Sequence, residues 1–148
     1  MNTDHPFTRP ADCSCADCVR CCHDQPGSLA PGDLERIAAH LGVPLRVAAL
    51  KFWASKGSLL GNSQTGETYR VGSITPRRVR GRCVFLNAQD RCTIHHVAPF
   101  GCAYFDTHMS AAEGQPRALY LARAMMAPEY QSLRRTLDEA THYKPRSY

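Results

Sequence analysis

No apolar run in this chain of 148 residues approaches the roughly 20 that a bilayer-spanning helix needs. The opening stretch, Met1 to Cys13, is polar and carries Pro6 and Pro10. It has no basic segment followed by an apolar one, so it does not read as a secretory leader. There is no phosphate loop and no dinucleotide fingerprint, and no other cofactor-binding motif stands out. Internal repeats and low-complexity segments are absent too. These absences leave a soluble chain with the cytosol as its expected compartment. The apolar fraction of 43% and charged fraction of 21% are ordinary for a globular protein. A chain of this size buries roughly two thirds of its unfolded surface, enough for a real core.

What is abundant is cysteine, with eight residues. Cys15, Cys18, Cys21 and Cys22 form C-x2-C-x2-C-C, with Cys13 two residues upstream. Cys83, Cys92 and Cys102 follow at C-x8-C-x9-C. In an oxidising compartment an even count suggests disulfides. In a reducing one it points to metal or redox chemistry. Adjacent Cys21 and Cys22 can join each other only through a strained ring, and so many thiols in so short a stretch cannot all find unstrained partners. The metal reading is therefore preferred. Net charge is +5 with thiols neutral; eight thiolates would bring it to −3, and two divalent ions back to +1. The basic excess thus need not signal nucleic acid.

In chain order, residues 1–12 read as a flexible lead. Thiols spaced three apart fall on one side of a helical turn or tight loop, which lets a short segment offer several sulfurs to one centre. Cys15, Cys18 and Cys21 also match the spacing with which bacterial ferredoxins supply three of four cluster ligands. The C-x3-C-P continuation is missing.

Pro31, Asp33 and Glu35 suit the start of a helix whose stripe is Leu34, Ile37, Ala38 and Leu41, with Gly42 as its stop. Pro44 opens a second expected helix with Leu45, Ala48, Ala49, Phe52 and Trp53 on one face, closed by Gly57. The pair has the outline of a DNA-binding helix-turn-helix. Its second helix, however, exposes only Arg46, Lys51, Ser55 and Lys56, a thin set for base readout. A core-packing hairpin is the stronger reading. Residues 58–67 read as a loop, and Thr68 to Ile74 as a strand that Pro76 interrupts. Arg77, Arg78, Arg80 and Arg82 form the densest positive patch. It suits a phosphate-bearing partner, the neighbourhood of thiolates, or simply water.

Cys83 to Leu86 and Arg91 to Ile94 read as a hairpin around Asn87–Asp90, with Cys92 opposite Phe85. A helical turn near 95–103 would bring Cys102 back toward it. From Pro116 the chain reads as helix, broken or restarted at Pro128. The expected fold is small and α+β, mainly helical with a short β-hairpin, built around a cysteine-rich metal centre.

Both cysteine blocks, in order, resemble the bacterial YkgJ-like cysteine-cluster family, the zinc- or iron-chelating CxxCxxCC domain. The resemblance rests on Cys15, Cys18, Cys21 and Cys22, then on the helix of Leu29 to Leu41. It continues in Cys83-Val84-Phe85-Leu86, Arg91-Cys92-Thr93-Ile94-His95, Pro99, Cys102 and Phe105. It spans roughly residues 13–106. Ala98 stands where the family usually has arginine, Asp106 where it often has proline, and Cys13 is extra. The resemblance implies chelation of zinc or iron, with an iron–sulfur cluster in some members.

Together these readings divide the chain into a lead (1–12), a metal-binding domain (13–106) and a helical extension packed on it (107–148). Cys15, Cys18, Cys21, Cys22, Cys83, Cys92 and Cys102 are the expected metal ligands. Seven thiolates exceed one tetrahedral zinc, so a second metal, bridging sulfurs or an iron–sulfur cluster is required. Soft thiolate sites suit both metals, and the early spacing tips the expectation toward iron–sulfur. His23, His95 and His96 are candidate completing ligands, expected at the surface or behind the ligands. The expected partner is the metal ion or cluster; a protein partner is open, while nucleic acid and membrane are disfavoured. An iron–sulfur-dependent redox or protein-modifying enzyme is the alternative function. A metal-stabilised nucleic-acid binder comes third.

Overall fold

The computed structural model describes residues 5–10, 23, 26–61, 65–66, 68–106 and 108–142. Helix α1 spans Asp33–Leu41. It buries Leu34, Ile37 and Ala38 of the expected stripe and ends at Gly42, whose φ of 69° is left-handed and lets its N–H reach back to Ala38 and Ala39. Helix α2 is only Leu45–Ala49. The expected continuation to Gly57 is wrong. Phe52–Gly61 is strand β1, which pairs antiparallel with β2, Thr68–Pro76, from Phe52↔Pro76 to Gly61↔Thr68. The helical spacing of Phe52 and Trp53 is overridden by the backbone bonds that β2 offers, and by burial of Phe52, fully enclosed, against the Phe85 ring at 5.5 Å. The loop expected over 58–67 yields at its start to the same strand. With five residues in α2, no recognition helix exists there.

A second, very short pair follows: β3, Arg78–Val79, with β4, Arg82–Cys83. Cys83 therefore pairs with Arg78, across the turn before it. The expected hairpin around Asn87–Asp90 is present as a single bridge, Leu86↔Cys92. Its register differs by one residue from the expectation, because Thr93 bonds Phe85 O through both its N–H, 2.8 Å, and its hydroxyl, 2.8 Å. A 3₁₀ turn, His95–Val97, and helix α3, Phe100–Ala103, carry the chain through Cys102.

Helix α4, Ala111–Met125, starts earlier than expected, because the Ser110 hydroxyl caps it, accepting the Glu113 N–H at 3.2 Å and donating to the Glu113 carboxylate at 3.2 Å. Pro116 is accommodated inside it. Helix α5, Pro128–His142, lies on the β1–β2 hairpin. There Arg134 donates to Ser55 O at 2.9 and 3.1 Å, and Gln131 to Gly72 O at 2.9 Å. The core joins Leu29, Ile37, Phe52, Ile74, Ile94, Phe100, Leu121, Met125 and Leu137. At its centre the Tyr130 hydroxyl donates to Leu29 O, 2.8 Å, and accepts from the Ile74 N–H, 2.9 Å. The expectation of an α+β fold, mainly helical with a short antiparallel hairpin, holds. Among the described residues no helix is long and apolar enough to cross a membrane.

Candidate metal centre

Cys83, Cys92 and Cys102 lie among the described residues, and Cys83 and Cys92 are free thiols there. Cys13, Cys15, Cys18, Cys21 and Cys22 lie outside the described residues. Cys83 sits at the end of β4, buried, and its sulfur accepts the backbone N–H of Phe85. Cys92 sits at the bridge, half-buried, and its sulfur accepts the N–H of Ile94. The two sites repeat one device, a thiol turned onto the amide two residues ahead. Cys102 uses a distant amide instead, the Gly27 N–H at 3.0 Å.

Burial pushes the Cys83 thiol up from its ordinary range; the Phe85 amide opposes this, and the nearby Cys92 thiol adds to it. Burial also pushes Cys92 up, against the Ile94 amide and the Arg9 guanidinium. Uncompensated, these thiols favour the protonated form. A soft cation would invert that balance, since coordination deprotonates a thiol outright. The amides already aimed at the sulfurs are the kind of outer support that orients metal ligands. Donor type and surroundings thus fit zinc or iron. Among the described residues no three His, Cys, Asp or Glu side chains are gathered closely enough to hold a metal ion by themselves.

His23 meets Asp90 at 3.4 Å, and His95 and His96 face each other with ring centres 6.2 Å apart. The arginine run is divided. Arg77 donates to Phe52 O at 3.2 Å and lies over Trp53. Arg82 binds Asn87 O and Asp90. Arg78 and Arg80 are exposed.

Several residues that hold this region together carry no signal in the sequence. Arg9 donates to His95 O at 2.9 Å and His96 O at 3.4 Å. Arg117 donates to Thr8 O at 3.3 Å and lies over Phe7 at 5.1 Å. His5 packs against Phe100, Tyr104 and Tyr120. On the other side of the early cysteines, Gly27 and Gly101 cross backbone to backbone, and Gly101 N–H donates to Ser28 O at 2.9 Å. Asp33, 2% exposed, accepts both the Ala30 N–H, 2.7 Å, and the Phe100 N–H, 2.8 Å, on one oxygen. Its second oxygen meets Arg36 at 2.9 Å. This carboxylate ties α1 to the short helix that carries Cys102. Only its place in the first turn of a helix is readable beforehand.

Fold and site together define a small α+β protein that presents amide-supported thiols on a late block, with the flanks of an early cysteine motif fastened to that block. A family model described as a "putative zinc- or iron-chelating domain", CxxCxxCC, matches residues 14–131. The chain belongs to this family, and the family's coarse function is chelation of zinc or iron. Comparison with curated proteins and with solved structures gives no significant match.

Proposed function

We propose that Cys15, Cys18, Cys21, Cys22, Cys83, Cys92 and Cys102 converge on one metal centre or two adjacent ones, and that the ligand held is an iron–sulfur cluster, with zinc as the alternative. The observation that carries the reading is the fastening of both flanks. Before the early motif, Thr8 and Arg9 are bonded to Arg117, His95 and His96. After it, His23 meets Asp90 in the turn between Cys83 and Cys92, and Gly27 donates to Cys102 itself. Cys21 and Cys22 are the two residues before His23. Attachment of both flanks to the late block supports a centre shared by the two cysteine blocks. The C-x2-C-x2-C spacing supports iron–sulfur; a tetrahedral set of four thiolates supports zinc. A thiolate-rich site of this kind also supports a reducing, cytosolic setting.

Anaerobic purification tests the cofactor. An iron–sulfur protein absorbs broadly in the visible range and contains iron and sulfide. A colourless protein with stoichiometric zinc overturns that choice. Cys18→Ser and Cys21→Ser, like Cys83→Ser and Cys102→Ser, are expected to lose metal and to lower the thermal midpoint. Binding at a site built from separate segments is linked to folding. Unchanged metal content and midpoint in all four variants would remove the shared centre.

A further inference from the structure

One carboxylate in the turn between Cys83 and Cys92 touches two side chains, and each of these adjoins a proposed ligand. Asp90 Oδ1 accepts from Arg82 Nη2 and lies 3.4 Å from His23 Nε2. Arg82 directly precedes Cys83, His23 directly follows Cys22, and Asp90 itself stands two residues before Cys92. A single oxygen therefore joins three segments, each beside a different thiol. Consecutive Cα atoms are about 3.8 Å apart. Fixing these residues thus restricts where the neighbouring sulfurs can reach.

The turn holds that carboxylate in place. Asn87 Oδ1 accepts the Gln89 N–H at 2.9 Å and the Arg91 N–H at 3.1 Å. Asn87 O accepts the Asp90 N–H at 3.0 Å and Arg82 Nη2 at 2.8 Å. Arg82 thus grips the turn at one backbone oxygen and one side-chain oxygen. Asp90 has a φ of 60°, a left-handed conformation that glycine adopts freely and aspartate at some cost. Local stability alone favours glycine at position 90. The ion pairs do not offset this through the fold, because Asp90 is exposed and pairs open to water add little to folding stability. What the carboxylate does supply is placement.

We infer that Asp90 is a positioning residue of the proposed centre: through His23 and Arg82 it sets how the segments of Cys22 and Cys83 approach that of Cys92. The inference rests on the shared-centre reading above. Partners behind the ligands hold them in the geometry a metal needs, and losing such a partner weakens binding while every ligand remains.

The test uses the full chain with its native metal and measures affinity by competition with EDTA. The same proteins reloaded with Co2+ report ligand geometry through the thiolate-to-metal charge-transfer band. Asp90→Gly relieves the left-handed backbone and keeps all eight cysteines. It is expected to bind metal about tenfold more weakly and to alter the cobalt band, with the far-ultraviolet circular dichroism of the loaded protein unchanged. Asp90→Asn, which keeps an acceptor for Arg82, should fall between Asp90→Gly and wild type. Gln89→Ala, in the same turn, should match wild type. His23→Ala should also weaken binding, and His23→Ala with Asp90→Gly should be no worse than Asp90→Gly alone, because both break one link. Cys18→Ser is run beside them. If Cys18→Ser loses metal while Asp90→Gly keeps wild-type affinity and band, the centre stands and the role of Asp90 falls. If Cys18→Ser also keeps its metal, the shared centre itself falls, and this inference with it. An equal loss in Gln89→Ala, or unfolding of both Asp90 variants, would make the turn merely structural and overturn the inference.

Discussion

At the scale of single residues, much of this structure turns on backbone groups that side chains must satisfy. Tyr130 is the clearest case. Its neutral hydroxyl both donates to Leu29 O and accepts from Ile74 N–H, and burial pushes its ionisation far above the usual tyrosine range. The folded state therefore resists losing this proton while the unfolded state releases it near pH 10. Stability associated with the neutral phenol is present below that pH and is lost as pH rises above it. Tyr130→Phe is expected to cost about 1–3 kcal/mol at neutral pH, through the orphaned Ile74 amide. Its stability should also fall less steeply than wild type above pH ~10; urea titrations at neutral and alkaline pH would show both effects. Asp33 plays the same part for the Ala30 and Phe100 amides. Asp33→Ala leaves two buried donors without an acceptor, an expected loss of about 2–4 kcal/mol, readable as a lower denaturation midpoint. Gly101 is a steric matter. A Cβ there would run into the Ser28 nitrogen and the Gly27 backbone, so Gly101→Ala should destabilise strongly and weaken metal retention together.

At the scale of elements, the N-terminal stretch of residues 5–10 behaves as a strap. Nothing in its composition announces this; His5, Phe7 and Arg9 are simply polar or aromatic residues between prolines. Its hold comes from the aromatic group around Phe100 and from the carbonyls of the 3₁₀ turn. Arg9→Ala removes the guanidinium that opposes protonation of Cys92 and two bonds to the 3₁₀ turn. The expected result is weaker metal retention in chelator competition, with a smaller change in thermal midpoint than Asp33→Ala. A midpoint loss as large as that of Asp33→Ala with normal retention would make Arg9 merely structural. The elements also show where periodicity misleads. Leu34, Ile37 and Ala38 read as one helical face and are buried as one. Phe52 and Trp53 read the same way and belong to a strand, because β2 supplies hydrogen bonds that a local pattern cannot reveal.

At the scale of the whole molecule, the proposed centre draws its ligands from segments far apart in sequence. Metal held in that way would bind the folded chain alone, so removing it should lower stability. A strong chelator is expected to shift the thermal midpoint downward, and re-addition of the native metal to restore it. A midpoint indifferent to the chelator, with the metal shown to be gone, would detach the metal from the fold.

What the sequence determined by itself was the chemistry. Thiols at C-x2-C-x2-C-C and C-x8-C-x9-C are soft-metal donors by residue type and local spacing alone, and the family is legible in their order. Helix α1 and its glycine stop were legible for the same reason, since they depend on neighbours a few positions away. Tertiary structure decided that Gly27 lends its amide to Cys102. It also decided that one buried carboxylate joins residues 30, 33 and 100. The Gly27–Cys102 and Asp33–Phe100 contacts close over tens of residues. Their stability comes from mutual burial and from satisfying amides that no local pattern in the chain identifies.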